Sequence, residues 1–335
     1  MGVAWNIFIA IIGTAIVWKS ADRLEEACGR IATHYGLPEI VRGAIITAIA
    51  SSFPEVSSVV ISTLIHGEFE LGISAIVGSA IFNILVIPAF AVLLGGRLTA
   101  NRQVVFKEAL FYLIAVAVLL LTLSLAVIYY PVRGEGLHGQ LTRGLVLVPI
   151  SLYAVYIFIQ YQDAKEHQPS DSTDRINIVR EWAVLAICLA LVAIGVELLV
   201  RAAINLGSIM QTPSFLWGLT VVAAGTSLPD LFISVKASRE GKSVASLSNV
   251  LGSNTFDLLI AVPVGVLLAG TTEINFSRAV PMMGSLTFAT IIMFVLMRLN
   301  MDLTRRDAVV LLVVYFGFVV WITLEAFGLI SVLAI

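Results

Sequence analysis

Charge is what this chain has least of. Only 13% of its 335 residues are Asp, Glu, Lys or Arg, and 59% are hydrophobic, whereas a soluble domain carries about 25% charge. That deficit excludes an ordinary water-soluble domain. The 20 basic and 22 acidic residues leave a net charge of −2, which gives no indication of a nucleic-acid partner, and none is expected. Cysteine is nearly absent. Cys28 and Cys188 stand far apart with no Cys-x-x-Cys, so two unpaired apolar thiols are expected rather than a disulfide framework or a redox motif. The four histidines, His34, His66, His138 and His167, fall in predicted loops without ligand spacing, so solvated loop residues are expected there and zinc-type chemistry is not. No basic residue precedes the first apolar run, so a cleavable signal is not expected. Strand-like alternation over about 10 residues is also missing, which argues against a transmembrane barrel.

What the chain does have is apolar runs of roughly 20 residues, each long enough to span a bilayer. Ten spans are predicted: 2–18, 38–65, 71–95, 108–130, 142–161, 179–204, 213–238, 244–270, 279–298 and 308–333. The fold class expected is therefore an all-α polytopic membrane protein whose partner is the lipid bilayer. Segment 162–178 is polar, carries Pro and Ser, and lies at the midpoint. It reads as a linker between two halves, 1–161 and 179–335, and is too short for a regulatory domain.

Basic residues fall unevenly. Gaps 1–2, 3–4, 5–6, 7–8 and 9–10, with their helix ends, hold 16 of the 20, leaving only Arg133, Arg143, Arg201 and Arg278 on the other side. The positive-inside rule then places both termini outside and the central linker in the cytoplasm. The short loops point to a prokaryotic plasma membrane.

The two halves carry one motif twice. Ala50-Ser51-Ser52-Phe53-Pro54-Glu55 matches Gly225-Thr226-Ser227-Leu228-Pro229-Asp230, and Gly78-Ser79-Ala80-Ile81-Phe82-Asn83 matches Gly252-Ser253-Asn254-Thr255-Phe256-Asp257. Around the first pair the offset is constant at 175: Asp22 meets Glu197, Pro38 meets Pro213, Gly43 meets Gly218 and Pro54 meets Pro229. Around the second pair it is 174. Five spans per half force the second half to enter the membrane from the opposite face, so related halves make an inverted repeat, an architecture common in secondary transporters.

Each motif holds oxygen at membrane depth. Pro54 has no N–H, so the Ala50 carbonyl loses its helical partner, and Pro229 does the same to Gly225. A freed carbonyl is tolerated in hydrocarbon only when something else satisfies it. A hard cation can do so, because calcium takes six to eight oxygens from carboxylates, carbonyls and water. The candidate ligands are the carbonyls of Ala50 and Gly225, the hydroxyls of Ser51, Ser52, Thr226 and Ser227, and the carboxylates of Glu55 and Asp230. Ser79 and Asn83 join them from one half, Ser253 and Asp257 from the other. Neither motif offers sulfur or imidazole, which suits sodium, calcium or magnesium. Breaks are expected in helices 2, 3, 7 and 8, around one site at the membrane midplane. Carboxylates so placed are costly, and a functional site is the default reading. Asp22 and Glu197 lie near predicted span ends. Glu197 has Arg201 four residues on, so a structural or interfacial pair is expected there.

On these residues the chain resembles the calcium/cation antiporter superfamily, the sodium/calcium exchangers and their relatives, and the two segments look like that family's alpha repeats. The stretch Ile76–Leu85 together with Asp230 is most similar to the potassium-dependent branch. The resemblance implies a transporter, not an enzyme, that exchanges calcium for sodium by alternating access. Glu55 and Asp230 would then be the central calcium carboxylates, shared with sodium. Ser51 and Thr226, with the Ala50 and Gly225 carbonyls, would complete the shells. Ser52, Ser79, Ser227 and Ser253 would serve flanking sodium sites. Asn83 and Asp257 would line the cavity, with potassium possible at Asp257. No cofactor is implied beyond the transported ions. Two departures stand out: Ala50-Ser51-Ser52 where Gly-Thr-Ser is usual, and Asp230 one methylene shorter than the usual Glu.

Three other readings compete. A proton/calcium antiporter would share the fold, but such relatives tend to lose the hydroxyls that both motifs here retain. An intramembrane hydrolase would need two acids sharing a proton around a water, and the chain has no Gly-x-Gly-Asp pattern. A passive cation channel is disfavoured by inverted broken helices.

Overall fold

The computed structural model describes residues 2–36, 46, 48–102, 104–133, 136–164 and 177–330. These residues are all-helical apart from four very short strands and the connecting turns. Helix α1 (Val3–His34) is followed by α2 (Ala48–Ser51), α3 (Phe53–Leu64) and α4 (Phe69–Gly95). Next come α5 (Ala109–Tyr129), α6 (Leu147–Ala164) and α7 (Ile178–Met210). The second half continues with α8 (Ser214–Trp217), α9 (Ala223–Arg239), α10 (Ser243–Phe256), α11 (Val262–Ala269), α12 (Phe276–Asn300) and α13 (Arg305–Ala326). Three five-residue π-helical turns adjoin these helices: Val104–Glu108 before α5, Gly218–Val222 between α8 and α9, and Asp257–Ala261 between α10 and α11.

Among the described residues, eight continuous helical stretches are long and apolar enough to cross a membrane, and Phe53–Leu64 and Leu147–Gln162 form shorter apolar helices. The chain is an integral membrane protein. Within the expected second span, Ser52, in a turn, separates α2 from α3, with Pro54 in the first turn of α3. Pro38 and Gly43, which extend the sequence match between the halves, lie outside the described residues, as does most of the expected linker.

Helices α1 and α7, at 32 and 33 residues, are close to 50 Å long at about 1.5 Å per residue. Both outrun the hydrocarbon core, so the residues expected as a loop after Trp18 continue the helix instead. The two pack antiparallel. Asn205 Nδ2 donates to Asn6 Oδ1 (3.2 Å) at one end, and Arg30 Nε donates to Glu181 Oε2 (2.9 Å) at the other. Between them the backbones touch: a Cβ on Gly13 would lie 2.8 Å from the Gly195 carbonyl oxygen. Small residues permit such an approach where lipid supplies no hydrophobic drive between helices.

Helix α4 is the buried axis, packed by α3, α9, α12 and α13. It is buried nearly all round and mostly apolar, as a central helix should be, with Ser74, Ser79 and Asn83 as its buried polar residues. The outer helices instead expose large apolar side chains such as Ile11, Ile187, Phe288 and Phe316. At the two ends, β1 (Leu98–Thr99) pairs antiparallel with β4 (Asp302–Leu303), and β2 (His138–Leu141) with β3 (Thr272–Asn275). Each ribbon ties a connection of the first half to one of the second.

Three of the four expected breaks are corrected. Only the second span is interrupted as expected. Helix α4 runs unbroken from Phe69 to Gly95, through both the Gly78–Asn83 segment and Pro88. Gly78 serves close contact instead: a Cβ there would sit 2.1 Å from the Leu219 carbonyl oxygen. In the seventh span, Gly225–Asp230 lies within continuous α9, and the irregularity is the wide turn Gly218–Val222 upstream. The eighth span widens at Asp257–Ala261 rather than at Gly252. A π turn shifts hydrogen-bond partners without opening the helix, and this is how the chain distorts its backbone at these points.

Candidate functional site

The residues of the two motifs meet between α3, α4, α9 and α10. The first motif is built by the turn at Ser52, which ends α2 and starts α3, so that Glu55 lies in the first turn of α3. The second lies in α9 behind the wide turn. The local backbones agree in detail. Ser51 Oγ donates to the carbonyl of Ala48, three residues back, at 3.2 Å, and Thr226 Oγ1 donates to that of Ala223, again three back, at 3.2 Å.

All twelve candidate residues are buried. Glu55 is 2% exposed, Asp230 4% and Asp257 1%. Between the halves, the hydroxyls of Ser79 and Ser227 lie 2.7 Å apart, and Ser79 Oγ donates to Glu55 Oε1 at 3.3 Å. The Thr226 hydroxyl also faces Glu55, so α3, α4 and α9 converge on that carboxylate. Asp257 opens the π turn after α10, where the Ser52 hydroxyl faces it. Asp230 feels the charge of Glu55, and Asp257 feels both. Ala50 is buried with Leu24 and Cys188, and Gly225 is buried against Thr14 and Leu199, while Ser253 donates to the Val250 carbonyl at 3.2 Å. Asn83 Nδ2 donates to Asn254 Oδ1 at 2.9 Å, and Asn254 Nδ2 to the Ala80 carbonyl at 3.3 Å.

Several of these buried atoms have no hydrogen-bond partner among the described residues: Glu55 Oε2, Asp230 Oδ1, Asp257 Oδ1, Asn83 Oδ1 and Ser52 Oγ. A buried polar group without a partner is costly, and a buried charge more so. All five are hard oxygens. Among the described residues, no three acidic, histidine or cysteine side chains stand close enough to hold a metal ion together. Any cation here would thus draw on hydroxyl and amide oxygens as well as carboxylates.

Four neighbours were not among the sequence candidates. Tyr112, fully buried, faces Asn254, Thr290 and Asp257, and Tyr153 also reaches the field of Asp257. Neither tyrosine hydroxyl meets hydrogen-bond geometry with a partner among the described residues. Asn254 stands inside the quoted motif, so the signal for it was available; the tyrosines had none beyond being aromatic in an aliphatic span. Glu25, on α1, lies close enough to Asp230 to act on it electrostatically. His66 is corrected: it is no solvated loop residue, since its Nε2 lies 2.9 Å from Glu197 Oε2. Arg201 donates to the other oxygen of Glu197, which gives Glu197 the structural pairing expected for it. Both cysteines are free.

The fold matches that of the sodium-calcium exchanger NCX_Mj soaked with sodium and strontium, with a TM-score of 0.63 and 22% identity, covering 94% of this chain and 98% of that one. Among relatives, the inner membrane protein YrbG of Escherichia coli is 26% identical over 272 residues, 78% of this chain and 79% of its own length. The sodium/calcium exchanger MaX1 of Methanosarcina acetivorans is 24% identical over 346 aligned positions, 94% and 97% of the two chains. Human sodium/potassium/calcium exchanger 5 matches only in part: 33% identity over 132 residues, 37% of this chain and 26% of that protein. The sodium/calcium exchanger protein family matches residues 5–162 and 180–324. Fold and family define a membrane transporter of cations rather than an enzyme. The chain belongs to the sodium/calcium exchanger family.

Proposed function

We propose that the protein exchanges calcium for sodium across the membrane by alternating access, with the cations bound by the buried oxygens at the convergence of α3, α4, α9 and α10. One observation carries this reading: five buried oxygens without partners, three of them on carboxylates, gathered from both halves of the chain. A calcium ion would satisfy them through Glu55 and Asp230, with Ser51, Thr226 and the Ala50 and Gly225 carbonyls completing the shell. Sodium would use the same carboxylates with Ser52, Ser79, Ser227 and Ser253. Asp257 and Asn83, beside Tyr112 and Tyr153, would take a monovalent cation, and potassium fits the same oxygen chemistry. The names of NCX_Mj and MaX1 support sodium and calcium as the exchanged pair.

In this reading the chain crosses the membrane ten times as two inverted halves, 1–161 and 179–335, joined by the cytoplasmic linker 162–178. Both termini lie outside a prokaryotic plasma membrane. The Lys and Arg distribution supports the orientation. The antiparallel packing of α1 on α7 supports the inversion, since the first helix of each half would cross in opposite directions.

The test is radiolabelled calcium uptake into proteoliposomes loaded with sodium and diluted into sodium-free buffer. Uptake that requires the outward sodium gradient and survives a protonophore is the expected result. Uptake driven instead by a proton gradient would make the hydroxyls structural and the protein a proton/calcium antiporter.

A further inference from the structure

A cavity of about 450 Å³ opens at the end of the bundle that carries the basic connections. Its walls come from the C-terminal parts of α1, α6 and α9 and from the N-terminal part of α10. Ser253, one of the candidate ligands, is among its lining residues. The larger cavity at the opposite end, about 550 Å³ between Glu70, His138, Glu273 and Arg278, is lined by none of the candidate residues. The described structure therefore offers its site a route from the linker side.

Two acids line that route, and they differ. Glu108 is fully engaged: Tyr156 donates to one carboxylate oxygen and Gln160 to the other, each at 2.8 Å. Glu25 makes no hydrogen bond or ion pair among the described residues. The nearby arginines turn away from it, Arg23 and Arg30 both reaching Glu26, while its charged neighbours on α1 are Asp22 and Glu26. Its field extends to Asp230. A second, independent feature lies in the same wall. Ser234, one helical turn beyond Asp230 on α9, is 1% exposed and its hydroxyl has no partner among the described residues. A carboxylate and a hydroxyl left unpaired along one path toward Asp230 form a step for a cation, and a negatively lined passage raises local cation concentration.

We propose that Glu25 is a cation-docking carboxylate at the inner entrance, which with Ser234 receives a hydrated divalent cation from the linker side and passes it to Asp230. The inference rests on the exchanger reading above and adds a one-sided element to it. At the offset of 175 the counterpart of Glu25 is Val200, fully buried. The other half therefore places no acid at the position that matches Glu25.

The sidedness supplies the test. Calcium concentration dependence is measured separately on each face, in right-side-out and inverted vesicles, for the wild type, Glu25→Gln, Glu25→Asp and Glu26→Gln. Loss of one unit charge several ångströms from a divalent ion through partly hydrated surroundings raises KM by roughly five- to tenfold. That rise is expected on the linker face alone for Glu25→Gln, with Glu25→Asp recovering most of it. Glu26→Gln removes the same charge from the outward side of α1 and is expected to leave both faces alike. An unchanged linker-face KM in Glu25→Gln, or an equal rise on both faces, overturns the inference while the exchanger reading stands. A wild type without sodium-dependent calcium transport overturns both.

Discussion

Replacing Glu55 by Gln isolates the charge at the centre of the site. The two side chains have nearly the same shape, and the amide oxygen can still accept from Ser79, whose hydroxyl lies 3.3 Å from the carboxylate oxygen. What is lost is one of the two carboxylates, Glu55 and Asp230, that a bound calcium ion would unite. Truncating one partner of a buried charge pair costs about 2–5 kcal/mol. At about 1.4 kcal/mol per tenfold, that weakens calcium binding by roughly 30-fold to several thousandfold. The same arithmetic runs the other way in the absence of cation. Glu55 acts on both Asp230 and Asp257 with like charge, so neutralising it relieves repulsion. The variant should then melt no lower than the wild type in cation-free buffer and should lose the calcium-dependent rise in Tm that ligand binding produces. Calcium titration by calorimetry and thermal melts of purified protein, with and without calcium, read both effects. Binding within threefold of the wild type would refute the reasoning. So would a large fall in cation-free Tm, since that would mark Glu55 as a structural acid.

Other consequences are equally direct. Gly78→Ala puts a Cβ 2.1 Å from the Leu219 carbonyl oxygen and 2.8 Å from Ala223 Cβ; overpacking of this kind costs about 1–3 kcal/mol, so a lower Tm with impaired transport is expected, and an unchanged Tm would show that α4 and the wide turn are not in close contact. Asp257→Asn removes the charge faced by Ser52, Tyr112 and Tyr153 and is expected to change the sodium or potassium dependence of transport more than folding. Unchanged dependence on both ions would count against a monovalent site there. An epitope placed at either terminus should be reached by antibody from outside intact cells, and labelling only after permeabilisation would reverse the orientation.

Much of the framework was legible because membranes punish exceptions. A carboxylate beside a proline in an apolar run has few structural uses, and two such places at one offset have fewer. Glu55 and Asp230 therefore stand out in the sequence as candidates, and Asp257 joins them through the repeated Gly-Ser-x-x-Phe segment. The helix geometry was harder. Hydropathy records how apolar a span is, not which carbonyl each amide finds. Thus the continuity of α4 through Gly78–Asn83 and the π turns at Gly218 and Asp257 were missed. Long-range partners were missed for the same reason: nothing near His66 in sequence announces Glu197, 131 positions away. Glu25 was invisible as well. It lies in a run of charged residues expected to be a loop, and only the extension of α1 through that run turns it toward Asp230.

The central claim is that the buried oxygens between α3, α4, α9 and α10 hold the transported cation. Anomalous diffraction from crystals of this protein soaked in strontium, a stand-in for calcium, tests it most directly. The account predicts a peak at coordination distance from both Glu55 and Asp230. Strontium bound elsewhere in the bundle, with these two carboxylates free of it at saturating concentration, would contradict it.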